Sequence, residues 1–166
     1  DMFIIAQKDI YRDLYIMPAL DECSKLGFET IVSALIFIDT IVQHGGGTDA
    51  DSFYSIIQKT KQSLGQWQDY SEAIFLDKFL YERSKVLLNP ANKETAKEWA
   101  DSIGRYHALK SILASNNPNL AKNINYIVFG DNYAIAGTTA STAKNIIGFL
   151  ALFSLSYYFI NKTNFV

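Results

Sequence analysis

The feature that most constrains the fold is a long apolar stretch from Phe28 to His44, which is followed directly by three glycines. Its apolar residues recur every three to four positions, the spacing of one helical face, and further apolar residues fill the positions between them. A helix that is apolar on most of its sides is buried, so we predict that this one is the central helix of its domain. The glycines at 45–47 are predicted to end it.

Helical patterns also precede and follow this stretch. Each has apolar residues at helical spacing, and most have a polar or proline residue suited to the first turn. A segment around Gly130 is compatible with a short strand or an extended segment near a turn, so the domain is predicted to be nearly all α-helical. The predicted helices cover residues 2–15, 18–26, 52–64, 72–88 and 92–114, with Pro18, Asp49 or Asp51, Ser71 and Asn92 at four of their starts and Gly27 at the end of the second.

Composition narrows the class of protein. The chain has 166 residues, of which 49% are hydrophobic and 19% charged, enough for one domain with a real core and too apolar for wholesale disorder. A net charge of −2 argues against nucleic acid as a partner. The single cysteine, Cys23, excludes an internal disulfide and is expected to lie partly buried on a helix. His107 has no partner at metal-ligand spacing, so we expect neither a metal nor another cofactor.

The C-terminal tail differs from the rest of the chain. Residues 137–145 form a small, polar linker, and residues 146–160 contain no charge between Lys144 and Lys162. Fifteen residues are short for a spanning helix, which needs about 20, but the aromatic outer end is typical of a membrane interface. Three interpretations are open: a membrane anchor, which we favour, a removable lipid-anchor signal, or a last helix packed on the domain.

Several ionisable residues interrupt apolar helices. Asp39 lies inside the central apolar stretch, where a buried carboxylate needs donors or a cation. Arg83 and Arg105 interrupt two later helices, and Asp101 is four residues before Arg105, on the same predicted helix face. These residues are either independent ion pairs between helices or one buried network that positions a catalytic acid beneath a cleft. The residues alone favour the independent pairs.

Five segments of the chain form a recognisable series: AQKDIYRDLYIMPAL (6–20), LGFETIVSALIFIDTIVQHGGGTDADSF (26–53), FLYERSKVL (79–87), WADSIGR (99–105) and FGDNYAI (129–135). In this order they resemble the chitosanases of glycoside hydrolase family 46. The resemblance implies a mainly α-helical, lysozyme-like fold, of which residues 1–136 are the C-terminal part, followed by the apolar C-terminal helix. It also implies hydrolysis of β-1,4 links in chitosan with inversion, in which one carboxylic acid protonates the leaving oxygen and a second carboxylate activates water.

The resemblance also assigns roles to individual residues. In the family the two catalytic acids lie in the N-terminal lobe, upstream of all five segments, so no catalytic residue is assigned in this chain. Arg105 matches the arginine that contacts the general acid from behind, Arg83 its partner, and Asp9 the acidic residue that bridges them. These three residues are the predicted catalytic-support network.

Three further residues are matched outside that network. Asp101 matches a substrate-binding aspartate, suited to the ammonium group of glucosamine. Asp39 and His44 fall in the family stretch D-x-x-x-x-H-G, where we predict a structural role. A histidine at a helix C-terminus is favoured by the helix dipole, which explains His44 without a ligand.

The resemblance predicts the partners as well. We expect a monomer that acts on chitosan or partially deacetylated chitin, outside the cell or anchored at the cell surface. Two other functions remain open. One is a non-catalytic module that binds chitosan or another polycation, and the other is a membrane-tethered helical interaction protein in which the charged residues form only salt bridges.

Overall fold

A computed structural model describes residues 2–65, 70–128 and 130–137. Over these residues the chain is mainly helical, as predicted, and ends in a small β-hairpin. A π-helical turn at Arg12–Ile16 joins α1 to α2, and a 3₁₀ turn at Lys93–Thr95 precedes α6. The elements are α1 (Met2–Tyr11), α2 (Met17–Leu26), α3 (Ile31–His44), α4 (Phe53–Leu64), α5 (Glu72–Leu88), α6 (Ala96–Asp101), α7 (Ile103–Ala114), β1 (Ile124–Val128) and β2 (Asp131–Ile135).

Helix α3 lies at the centre and packs against α2, α4, α5 and α7. Its positions from 32 to 38 are all buried, which confirms the central helix predicted from the apolar stretch. The helix begins at Ile31, because the hydroxyl of Thr30 accepts a hydrogen bond from the backbone N–H of Ser33 at 3.2 Å. It ends at Gly45, whose φ of 72° favours glycine.

Phenylalanines from α3, α4 and α5 form the middle of the core. The Phe37 ring lies 5.2 Å from that of Phe53 and 5.0 Å from that of Phe79, measured between centroids. All three side chains are completely buried. Tilted and edge-on ring pairs of this kind add to the stabilisation that comes from buried area alone. Apolar residues of α4 and α5 thus pack against the central helix.

The start of α4 differs from the prediction. Neither Asp49 nor Asp51 is the capping residue; the Ser52 hydroxyl accepts the capping hydrogen bond from the Ser55 N–H at 3.3 Å. Asp51 is instead 6% exposed, and its two carboxylate oxygens accept hydrogen bonds from the N–H groups of Ala91 and Asn92, both at 3.0 Å. Asp51 thus ties the α3–α4 loop to the turn after α5.

Two other predicted helix boundaries can be compared with the structure. Ser71 caps α5 as predicted, and its hydroxyl accepts from the Ile74 N–H at 3.4 Å. The single helix predicted over 92–114 is divided at Ser102 into α6 and α7. The Ser102 hydroxyl donates to the Trp99 carbonyl at 2.6 Å, which gives the chain a local alternative to continuing the helix.

Helix α2 carries the cysteine. Gly27 ends this helix with a left-handed φ of 71°, as predicted. Cys23 is 5% exposed, more deeply buried than expected. Burial raises the pKa of the Cys23 thiol to about 12, and the carboxylates of Glu72 and Glu22 add to that effect.

The chain after α7 forms the antiparallel hairpin of β1 and β2. The pairing places Val128 opposite Asp131 at the predicted turn, and the rings of Tyr126 and Tyr133 stack across the strands at 5.6 Å. Within the described ranges, no helix is both long and apolar enough to cross a membrane. Apart from Gly137, the predicted linker at 137–145 and the apolar segment at 146–160 lie outside the described residues.

Candidate functional site

Helices α3, α5 and α7 bring one carboxylate and two guanidinium groups together. Asp39 Oδ1 lies 2.5 Å from Arg105 Nη2, and Asp39 Oδ2 lies 2.7 Å from Arg83 Nη2. The Arg83 side chain is 0% exposed, and those of Asp39 and Arg105 are each 14% exposed. We call Asp39, Arg83 and Arg105 the arginine cluster. Removing Asp39 would leave the buried Arg83 guanidinium without its carboxylate partner.

The charges of the cluster do not cancel. Burial by itself would raise the pKa of Asp39, but the guanidinium groups of Arg105 and Arg83 outweigh it and hold that pKa below its usual range. Burial lowers the pKa of Arg83, and the adjacent Asp39 partly opposes the change. With Asp39 ionised and both arginines protonated, the cluster carries about one net positive charge.

Arg83 is oriented by two residues at the end of α3. Its Nη2 donates to Gln43 Oε1 at 2.7 Å, and its Nε donates to His44 Nε2 at 3.4 Å. His44 Nδ1 lies 2.9 Å from the Asp51 carbonyl oxygen, which can only accept, so Nδ1 carries the proton and Nε2 is the acceptor. Burial and the charge of Arg83 lower the pKa of His44 to about 3. His44 is therefore a neutral support for Arg83.

A second chain of hydrogen bonds connects the cluster to the junction between α6 and α7. Gln43 Nε2 donates to the hydroxyl of Ser102, and Ser102 donates to the Trp99 carbonyl. The Trp99 ring also packs edge-on against His44, with 4.7 Å between centroids. Among the described residues, Nη1 of Arg83 is a buried nitrogen with no hydrogen-bond partner.

The structure brings Arg83 and Arg105 together but does not place Asp9 between them. Asp9 lies on α1, its side chain is 52% exposed, and it pairs with Arg12 at 3.0 Å. The bridging carboxylate is Asp39, because α3 packs directly against both α5 and α7. The structure thus places Asp39, and not Asp9, between the two arginines, and the support role of Asp9 stays a prediction. The support role of the two arginines stays a prediction.

The remaining comparison with the sequence predictions concerns Asp101, Gln43 and Ser102. Asp101 is exposed at the end of α6, and the break at Ser102 separates it from Arg105, which pairs with Asp39 instead. Sequence reasoning gave no role to Gln43 or Ser102. The signal for Gln43 was its position four residues after Asp39, on the same helix face. The described residues contain no group of three or more His, Cys, Asp or Glu side chains placed to hold a metal ion.

Comparison with known proteins identifies the family. The family described as glycosyl hydrolase family 46 matches residues 1–124, and the chain belongs to that family. A chitosanase of Bacillus subtilis strain 168 is 40% identical over 120 residues, which are 71% of this chain and 43% of the relative.

Two solved structures of chitosanases share the fold. The native chitosanase of Bacillus subtilis MY002 has a TM-score of 0.74 and 36% identity, covering 80% of this chain and 56% of that one. A family 46 chitosanase of Gynuella sunshinyii in complex with chitotetraose has a TM-score of 0.77 and 32% identity, covering 82% and 57%. The chain thus spans about half the length of the relatives it matches.

Proposed function

We propose that the protein hydrolyses the β-1,4-glucosaminidic bonds of chitosan, acting as a chitosanase outside the cell or at its surface. The observation that carries the proposal is the arginine cluster, built on three helices of a chain that belongs to family 46. The structure of the Gynuella sunshinyii relative is a complex with chitotetraose, which supports a glucosamine polymer as the substrate class.

The proposed mechanism is inverting hydrolysis by two carboxyl groups, which stand about 6.5–9.5 Å apart in inverting enzymes. We expect that pair in the part of the family domain upstream of the matched segments. Arg105 is partly exposed, and Asp39 is its only acceptor among the described residues, so further N–H groups remain for another carboxyl group. Asp39 offsets one of the two guanidinium charges. A general acid held against Arg105 therefore meets about one residual positive charge and not two.

The exposed carboxylate of Asp101 is proposed to bind substrate. A chitosan chain carries an ammonium group on each deacetylated sugar, and an exposed carboxylate is the side chain that pairs with such a group. We propose that the protein acts as a monomer, without a metal or another cofactor, since the chemistry needs only carboxyl groups and water.

The test is hydrolysis of a glucosamine hexamer by the longest product of the gene, with the 166-residue chain measured beside it. We expect Arg105→Ala to lower turnover on the order of 100-fold, a loss typical of removing one preorganised donor, while circular dichroism shows a folded protein. Because Arg105 is a positioning residue, the acid limb of the pH–rate profile should also move. Arg12→Ala, which removes an exposed guanidinium from the turn between α1 and α2, is the control. Undiminished turnover and an unchanged pH profile in Arg105→Ala would contradict the assigned role.

A second function is a module that binds chitosan without cleaving it. The observation in its favour is that the chain spans only about half the length of its relatives, while the resemblance places the acid pair outside the matched segments. This function predicts saturable binding of the glucosamine hexamer with no new reducing ends. Release of shorter oligomers by the longest gene product would exclude it.

A further inference from the structure

A polar groove of about 670 Å³ lies on the side of α4 and α5, away from the residues of the arginine cluster. The α3–α4 loop and the turn after α5 line its other sides. Three lysines from three different elements contribute to its lining: Lys59 from α4, Lys85 from α5 and Lys93 from the 3₁₀ turn. We call this feature the lysine groove.

The carboxylates of the groove are buried and already occupied. Glu82 is 2% exposed; its Oε1 accepts from the Ser63 hydroxyl at 2.8 Å and lies 3.2 Å from Lys78 Nζ, while its Oε2 pairs with Lys85. Asp51 is 6% exposed and is used by two backbone N–H groups. A solute in the groove therefore meets ammonium and amide groups and not free carboxylates.

Lys59 and Lys93 have neutral acceptors. Lys59 Nζ donates to the Ala50 carbonyl at 2.6 Å, and Lys93 Nζ donates to the Pro90 carbonyl and to Asn89 Oδ1, both at 2.8 Å. Across the described ranges, neither ammonium has a carboxylate within 4.0 Å. An ammonium group has three N–H donors, so Lys59 keeps two and Lys93 one for a ligand.

Each of the two ammonium groups is anchored before any ligand arrives. Asp51 Oδ1 accepts from the Ala91 N–H at 3.0 Å, which joins the loop that carries Ala50 to the turn that carries Pro90. The carbonyls that anchor Lys59 and Lys93 therefore flank one hydrogen bond. Side chains that are already ordered lose less conformational entropy when they bind a ligand.

We propose that the lysine groove binds an anion that carries more than one phosphate group. Lysine binds phosphate as a point charge, and three exposed or half-exposed ammonium groups stand here against two carboxylates that are buried and bonded. The cationic groove is a local feature, because the chain as a whole has a net charge of −2. A polycation such as chitosan is repelled from it, so this site goes beyond the proposed function and does not depend on it. The volume exceeds that of a single phosphate and suits several linked groups.

The experiment is a titration of the 166-residue chain with tripolyphosphate, followed by calorimetry and by amide chemical shifts. We expect saturable binding that weakens with added salt and shifts the amides of Lys59, Ala91 and Asn92. The double variant Lys59→Gln/Lys93→Gln should weaken binding at least about tenfold, since each ammonium is within a few ångströms of the anion. The control Lys8→Gln/Lys122→Gln removes the same charge at two lysines that do not line the groove, and it should bind tripolyphosphate as the unsubstituted protein does.

Further arms distinguish the source and the class of the anion. Inorganic phosphate should bind more weakly than tripolyphosphate, and binding of poly(glycerol phosphate) would identify a phosphodiester polymer as the source in place of a free polyphosphate. Equal loss in the control variant, shifts confined to Arg83 and Arg105, or no saturable binding would overturn the proposal. Tighter, lysine-dependent binding of oligogalacturonate would overturn the phosphate class. If the double variant does not fold, Lys93→Gln alone and the shifts of the unsubstituted chain decide.

Discussion

The arginine cluster and the lysine groove both combine cations with carboxylates, but they bury opposite partners. In the cluster the fully buried group is Arg83, and a single carboxylate bridges two guanidinium groups. In the groove the buried groups are Glu82 and Asp51, while the lysine side chains face solvent. A guanidinium is planar and weakly hydrated, whereas an ammonium is strongly hydrated. Buried arginines therefore fix a geometry, and exposed lysines remain available to a ligand.

The largest effect that this comparison predicts is the loss of the cluster's carboxylate. Asp39→Ala leaves two guanidinium groups facing each other, and we expect the free energy of unfolding to fall by about 3–5 kcal/mol. Urea unfolding followed by circular dichroism measures the change. Asp13→Ala removes a carboxylate that is 60% exposed and paired with Arg12, and should leave the midpoint nearly unchanged. Similar midpoints for the two variants would show that losing Asp39 destabilises the protein no more than losing an exposed carboxylate.

The next effect is a pH dependence that comes from His44. Its pKa is 6.5 in an unfolded chain and about 3 in the folded protein. Between those values the unfolded state binds more protons, so stability is fully present above pH 6.5 and falls as the pH is lowered. From pH 6.5 to about pH 5 the loss should reach about 2 kcal/mol, at about 1.4 kcal/mol for each pH unit. Unfolding titrations at several pH values measure it.

The matched variant for that measurement is His44→Asn. Asparagine keeps an N–H group in reach of the Asp51 carbonyl but does not titrate. The difference between the stability curves of the two proteins therefore isolates His44 from the other carboxyl groups. Parallel curves between pH 6.5 and pH 5 would show that His44 is protonated in the folded protein, against the buried, neutral state described above.

The smallest effect concerns the groove. Bonds to Ser63, Lys78 and Lys85 hold the pKa of Glu82 low despite burial, so Glu82→Gln removes a real charge. We expect the free energy of unfolding to fall by about 1 kcal/mol, the value of one exchanged hydrogen bond. Tripolyphosphate affinity should rise about fivefold, because Lys85 loses its counter-charge. A weaker affinity in this variant would show that Glu82 orders the lysines more than it neutralises them.

The apolar pattern allowed much of the fold to be predicted. Helix α3 and the glycine at its end followed from a run of side chains that only a buried helix could accommodate. Capping was harder to predict, since Asp49, Asp51 and Ser52 are all good capping residues, and Ser52 is the one that takes the position. No proline marks the division at Ser102 in the sequence. The division depends on the Ser102 hydroxyl, which competes for the Trp99 carbonyl.

The candidate site shows the limit of sequence reasoning more clearly. The burial of Asp39 was predicted from its neighbours, together with its need for a cation. Which cations it meets depends on how three helices cross, and spacing along one helix carries no such information. Asp9 was given the bridging position by the family resemblance, whereas α1 leaves it exposed beside Arg12. The hydrogen bond between Gln43 and Ser102 likewise depends on how the helices pack, and the spacing along one helix does not predict it.

The buried thiol of Cys23 can report on the motion of α2 relative to α3. This thiol is the only one in the chain and is almost inaccessible, and its pKa of about 12 leaves hardly any thiolate at neutral pH. Only the thiolate reacts with disulfide reagents, so labelling must wait until α2 moves away from α3. The labelling rate, measured with and without glucosamine hexamer or tripolyphosphate, therefore counts how often the two helices separate and whether either ligand slows them.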